Sequence, residues 1–120
     1  MPQITVDYSE QLADGFDRRA FARELHGAVG EIASASPSSC KTRFRRVEEA
    51  VAGSETEGHA VVHVQIGLFP GRTEETKARL TETALELLRR HLKQPAGLIL
   101  HASAEIREME AASYRKSDSE

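Results

Sequence analysis

Residues 2–9 read PQITVDYS, a proline followed by Ile4, Val6 and Tyr8 in alternation with Gln3, Thr5 and Asp7. Period-two alternation predicts a strand with one buried face. The strand starts at once, so residue 2 is held by the body of the fold. Cells generally trim an initiator methionine when a small residue follows, and the chain then opens on a proline whose ring nitrogen is a free secondary amine. A prolyl nitrogen inside a chain is an amide without basicity; a terminal one is a base. A free α-amino group titrates near about 8 and a pyrrolidine is intrinsically more basic, but burial and neighbouring cations both disfavour the charged form. A neutral Pro2 amine can then act as a general base near neutral pH. Taken alone, a Met-Pro start most often does no more than permit methionine removal; here its lead into a strand gives it weight.

Outward from this strand, Asp14-Gly15 breaks the pattern and Asp17 stands as an N-cap before Phe21, Leu25, Ala28, Val29 and Ile32 at helical spacing. Gly27 and Gly30 inside this helix each cost up to about 1 kcal/mol against Ala, which predicts close packing at both. Lys41 to Val47 reads as a second strand, GSETEGH as an open loop, and Ala60 to Leu68 as a third strand with Val62, Val64, Ile66 and Leu68 on one face. After FPGR, Thr73 caps a second helix with Glu74 and Glu75 in its first turn, where the helix dipole favours them. Its apolar stripe is Leu80, Ala84, Leu87, Leu88, His91 and Leu92. Gln94-Pro95-Ala96-Gly97 stops it, and Leu98 to Met109 alternates as a last strand.

Strand, helix, strand therefore occurs twice, which predicts an α+β domain over residues 1–110: duplicated β-α-β units forming a four-stranded sheet with two helices on one face. The polar remainder, 111–120, is expected to fray unless a partner chain orders it. Two architectures share this string, the ferredoxin-like fold and the tautomerase fold, in which the two units lie side by side about a pseudo-twofold axis.

Composition narrows the function classes. A net charge of −3 gives no global attraction to nucleic acid or to an anionic membrane, and 5% aromatics without Trp argue against a base-stacking platform. No apolar run approaches the roughly 20 residues of a membrane helix. A single cysteine, Cys40, suits a reducing compartment, and with no signal-peptide pattern the expected location is the cytoplasm. His59 and His63 have the i, i+4 spacing of a helical zinc pair, but on a strand four residues span about 13 Å; no metal site is expected.

Two basic motifs remain. Arg72, in FPGRTEE, sits at a strand-to-helix turn beside unsatisfied helix amides, a combination suited to a carboxylate or phosphate, although an exposed arginine in a surface turn explains it equally well. In KTRFRR, strand geometry puts Lys41, Arg43 and Arg45 on one face. Such a stripe can line an anionic-substrate site, but more often it is solvated or meets acidic groups across an interface.

The start PQITVDYS, the VVHV strand, the GRTEE turn and AEIREM near the end, in that order and spacing, resemble the 5-carboxymethyl-2-hydroxymuconate isomerase family of the tautomerase superfamily. The resemblance implies a homotrimer with active sites near subunit boundaries, no cofactor, Pro2 as the proton-shuttling base and arginines that hold substrate carboxylates. The implied activity is a 1,3-proton shift in an unsaturated carboxylic acid such as 5-carboxymethyl-2-hydroxymuconate. Pro2 and Arg72 carry over directly. Lys41 stands where a substrate-binding arginine is expected, and an ammonium lacks the bidentate fork; Arg43, on the same face, falls on another family arginine. The competing expectations are a catalytically silent trimer of the same fold that binds a small acid or only assembles, and an RNA-binding ferredoxin-like domain that uses KTRFRR.

Overall fold

The computed structural model describes residues 1–119. In chain order it contains β1 (Gln3–Ser9), a 3-10 turn (Glu10–Gly15), α1 (Arg18–Ala33), β2 (Lys41–Val47), β3 (His59–Leu68), α2 (Glu74–His91) and β4 (Ile99–Glu108). The strands form one sheet in the order β2-β1-β3-β4. β1 runs parallel to β2, β3 runs parallel to β4, and the halves join antiparallel through β1 and β3. Each helix thus returns the chain to the strand beside the one it left. A ferredoxin-like sheet splits each β-α-β unit with a strand from elsewhere, so this adjacency selects the side-by-side pair of units.

The alternation read from the sequence is the alternation buried. Ile4 and Val6 of β1 and Val62, Val64 and Ile66 of β3 are fully buried, in one cluster with Phe21, Leu25 and Val29 of α1 and Leu80, Ala84 and Leu88 of α2. Full burial of each large aliphatic side chain contributes about 1.5–3 kcal/mol. Asp17 caps α1 by accepting the Ala20 N–H at 3.2 Å, and Thr73 caps α2 by accepting the Thr76 N–H at 3.1 Å. At the far end of the helices Asp17 N–H donates to the His91 carbonyl and Lys93 N–H to the Gly15 carbonyl, which ties the start of α1 to the end of α2.

Three details differ from the sequence expectation. Ser9 to Gly15 is not a plain break, because a 3-10 turn there buries Leu12 completely. β4 is mostly exposed, and Ala102, which the alternation from Leu98 places with the apolar set Leu98, Leu100, Ala104 and Ile106, is open to solvent; β4 is an edge strand, and α2 covers only part of it. The tail does not simply fray: after β4, Met109 N–H donates to the Leu68 carbonyl at 2.7 Å, Ala111–Ser113 form a short 3-10 turn, and the Tyr114 ring meets Phe69 edge-on at 5.1 Å. Glu120, the last residue of that tail, lies outside the described residues.

The two glycines of α1 also part company. A Cβ at Gly30 would lie 2.7 Å from Pro37 Cγ and 2.9 Å from the Ala35 carbonyl oxygen, whereas a Cβ at Gly27 would meet nothing within 4 Å. Close packing explains the first glycine only. Gly27→Ala is therefore expected to stabilise the chain by about 0.5–1 kcal/mol. Gly30→Ala, which forces the 34–37 turn to move, should cost about 1–3 kcal/mol. Urea unfolding midpoints of the two variants should shift in opposite directions.

Candidate functional site

The topology collects the predicted site residues at one end of the sheet. Gln3 lies opposite Lys41 on β2 and Gly67 on β3, so the start of β1 sits between the start of β2 and the end of β3. α1 carries the chain back to the start of β2, and α2 departs from the end of β3. The C-terminus of α1, the N-terminus of α2 and the FPGR turn therefore share the end that holds Pro2.

Pro2 is fully buried, and its carbonyl accepts the Lys41 N–H at 3.1 Å. Met1 is present and half-buried, so the Pro2 nitrogen is an amide here and becomes an amine only once Met1 is removed. Its surroundings are cationic and partly dry. Burial pushes the Cys40 thiol up, opposed by the amino-terminal charge and by Lys41, which places both charges within reach of this corner. His26 of α1 shares a 2.7 Å hydrogen bond with Thr42 Oγ1, and its imidazole is held below its ordinary value first by burial and then by Lys41.

The basic stripe of β2 does not act as one unit. Arg45 is committed to Asp7 through two hydrogen bonds, Nε to Oδ1 at 2.6 Å and Nη2 to Oδ2 at 3.1 Å. Arg46 points to the other face and donates to Tyr8 Oη at 3.5 Å. Lys41 Nζ donates to the Ser39 carbonyl at 3.2 Å, and Arg43 Nη2 to Gln3 Oε1 at 2.9 Å. Among the described residues neither Lys41 nor Arg43 has a carboxylate at salt-bridge distance. Both are exposed, and Lys41 acts electrostatically on Asp118, whose carboxyl is held below its usual range chiefly by its hydrogen bond to Lys116.

Arg72 is placed differently from a free surface arginine. Its Nε and Nη2 donate to the Ala33 carbonyl at 3.3 and 3.1 Å, and its Nη1 donates to the Phe69 carbonyl at 3.2 Å. Ala33 is the last residue of α1, and its successor Ser34 adopts the left-handed conformation at φ 57°, so the guanidinium satisfies a carbonyl that the helix leaves open. Three of the five N–H groups of Arg72 are used in this way, and one on each terminal nitrogen is left. These border a cleft of about 410 Å³ lined by Ala33, Ser34, Gly71, Arg72, Thr73 and Thr76. A larger cleft, about 460 Å³, lies between α2 and β4, lined by Leu85, Leu88, Leu92 and Leu100 together with Arg89 and Gln94; Pro2 does not line it.

The histidines point to separate partners. His59 Nδ1 lies 2.8 Å from His101 Nε2, and His63 bridges Ser103 Oγ and Glu105 Oε2 at 2.6 Å each. The His63 hydrogen bond is the chief cause holding Glu105 below the usual carboxylate range. Among the described residues no group of three or more metal-ligating side chains occurs and no helix is long and apolar enough to cross a membrane. Sequence reasoning passed over Gln3 and Tyr114: Gln3 Nε2 donates to Tyr114 Oη at 3.2 Å, a contact across 111 positions that no local pattern announces.

Folding lowers the His26 pKa, so around its ordinary value of 6.5 the folded state binds fewer protons than the unfolded chain. Its contribution is complete above that range and is lost as pH falls through it. The melting temperature of the parent chain is expected to fall more steeply between about pH 7 and 5 than that of His26→Gln, as pH-resolved calorimetry would show. Arg72→Ala, which strips the Ala33 and Phe69 carbonyls of their donor, is expected to cost about 1 kcal/mol of stability, measured by urea unfolding.

The fold and sequence place this arrangement among known proteins. A search among curated proteins gave no sequence match. A crystal structure of a 5-carboxymethyl-2-hydroxymuconate isomerase from Deinococcus radiodurans R1 superposes with a TM-score of 0.80 at 23% identity, covering 98% of this chain and 90% of that one. A 5-carboxymethyl-2-hydroxymuconate delta-isomerase gives 0.75 at 16% identity over 99% and 89%. A fused 4-OT wild-type symmetric trimer gives 0.79 at 18% identity over 97% and 92%. These likenesses establish the fold. The family model for 5-carboxymethyl-2-hydroxymuconate isomerase matches residues 2–119, nearly the whole chain from the buried proline to the tail, and the chain therefore belongs to that isomerase family.

Proposed function

We propose that the chain is a cofactor-independent isomerase that moves a proton in an unsaturated carboxylic acid of the 5-carboxymethyl-2-hydroxymuconate type, with Pro2 as its base. The observation that carries this reading is the placement of a fully buried residue 2 at the head of a central strand, bonded through its carbonyl to the Lys41 N–H and at the same end of the sheet as Arg43 and Arg72. Once Met1 is removed, the ring nitrogen is a secondary amine at a buried position, and burial together with nearby positive charge favours its neutral form.

In the proposed reaction the Pro2 nitrogen takes the enol O–H proton of the substrate, and the electron pair left behind spreads into a dienolate. The prolinium returns that proton to a carbon, so the double bond shifts and no atom is gained or lost. Lys41 and Arg43 bind one carboxylate, and the two spare N–H groups of Arg72 bind another and stabilise charge as it builds. The same cations hold the proline neutral. Lys41 contributes charge without the planar fork of an arginine, so the bidentate contacts fall to Arg43 and Arg72. The symmetric trimer named for one structural neighbour supports a homotrimer here, and small carboxylates as partners in place of nucleic acid or membrane complete the reading.

One observation favours a second reading, a silent acid-binding assembly of the same fold: Arg72 is already spent in part on Ala33 and Phe69. The RNA-binding alternative finds less support, because the sheet face opposite the helices carries no Phe, Tyr or Trp on the described strands, and base stacking needs such rings.

Pro2→Ala is expected to lower the rate of enol-to-keto conversion, assayed with enolic phenylpyruvate and with unsaturated dicarboxylates, by about 100-fold or more, the usual span for a general base, with oligomer size unchanged. An unchanged rate would favour the silent assembly. Intact-mass measurement on the same preparation establishes whether Met1 has been removed.

A further inference from the structure

Tyr114 is the part of the tail that returns to the site end. Its hydroxyl meets Gln3, the residue next to Pro2, and its ring packs edge-on against Phe69, whose carbonyl holds Arg72. Gln3 is in turn bonded to Arg43. The polarity of this chain of contacts is fixed by chemistry. A guanidinium has donors and no acceptor, so the Gln3 atom facing Arg43 must be the carbonyl oxygen Oε1, and the atom facing Tyr114 must be the amide nitrogen. The amide nitrogen donates, so the phenol oxygen accepts. The Tyr114 O–H proton is then spent on neither Gln3 nor, among the described residues, any other group to which a hydrogen bond is formed.

We infer that Tyr114 offers this spare proton to an oxygen of the bound acid, as a substrate-positioning donor set one residue from Pro2 and oriented by the Arg43–Gln3 pair. The inference rests on the site proposed above and adds a contact to it. Each bond in the series points its positive end outward, from Arg43 through the Gln3 amide to the phenol, and aligned hydrogen bonds strengthen one another. A phenol polarised in this way suits a carboxylate or dienolate oxygen better than a neutral carbonyl. The ring cannot swing freely while Phe69 holds its edge, so the donor is positioned before the ligand arrives and little ordering is needed on binding. The tail thereby becomes part of the binding site.

The test is calorimetric titration of the full chain with cis,cis-muconate, an unsaturated six-carbon dicarboxylate, comparing the parent with Tyr114→Phe and Pro2→Ala. Tyr114→Phe keeps the ring against Phe69 and removes only the hydroxyl. It is expected to weaken muconate binding about tenfold, the scale of one hydrogen bond to a charged group, while melting temperature and oligomer size stay at the parent values. Pro2→Ala is expected to retain muconate binding within about threefold, since its ring touches no carboxylate in this scheme. In turnover assays Tyr114→Phe should lower kcat/KM without moving the pH midpoint of the profile, because the phenol is not the base.

Equal muconate affinity in parent and Tyr114→Phe overturns the inference, and so does failure of the parent to bind muconate. Full turnover by Pro2→Ala overturns the base assignment instead, while the calorimetric comparison still decides the role of Tyr114.

Discussion

The arrangement depends on β1, the first strand of the chain, being an interior strand of the sheet. It is paired along its length with β2 on one side and β3 on the other, and its Ile4 and Val6 sit at the centre of the core. A terminal strand is ordinarily free to fray, but here any shift of β1 by one residue would turn that buried face outward. Register is thereby fixed, and with it the position of residue 2. The precision of the site end is set by core packing more than by contacts made at the site itself.

From that constraint the division of labour among the basic residues follows. Parallel pairing gives each β1 side chain on the open face a β2 neighbour, and the identity of the β1 residue decides what the cation does. Asp7 neutralises Arg45 and Gln3 orients Arg43 without neutralising it, while the Lys41 ammonium donates to the Ser39 carbonyl and lies within the electrostatic reach of Asp118. Among the described residues a carboxylate therefore ion-pairs the far end of the stripe, and none makes a salt bridge to Lys41 or Arg43. That gradient is what an anion-binding end with a suppressed amine pKa needs. Arg72 adds a further element: it closes the end of α1 and borders the adjacent cleft, so in the proposed reaction one guanidinium serves both fold stability and ligand contact.

Most of the fold was legible because its signals are local. Alternation in residues 2–9 and 60–68 and helical spacing in 21–32 and 80–92 reported burial directly, and the caps at Asp17 and Thr73 were readable from residue type. The choice between two sheet orders was not, since it depends on which strands pair, and pairing across sequence leaves no periodic mark. The glycines show a similar limit: Gly27 and Gly30 look alike in sequence, and only the turn at 34–37, brought against one of them, tells them apart. At the site, Pro2, Lys41, Arg43 and Arg72 were singled out by residue type and position, and the structure gathers them at one end. Their states were not legible. That Arg72 is bonded to Ala33, that Arg45 is cancelled by Asp7, and that Tyr114 returns to Gln3 are long-range contacts with no local precursor.

The central claim is that a buried, cation-flanked terminal proline is neutral at working pH. The most direct measurement is an NMR titration of the chain, prepared as cells process it, with 15N-labelled proline. Of the four prolines, Pro2, Pro37, Pro70 and Pro95, only Pro2 can carry an amine, so a single titrating nitrogen identifies it. The account predicts a midpoint at or below about 7.7, the lower edge of ordinary α-amino groups. A ring nitrogen still protonated at about pH 9, above that whole range, or no titrating nitrogen at all because Met1 is retained, would contradict it.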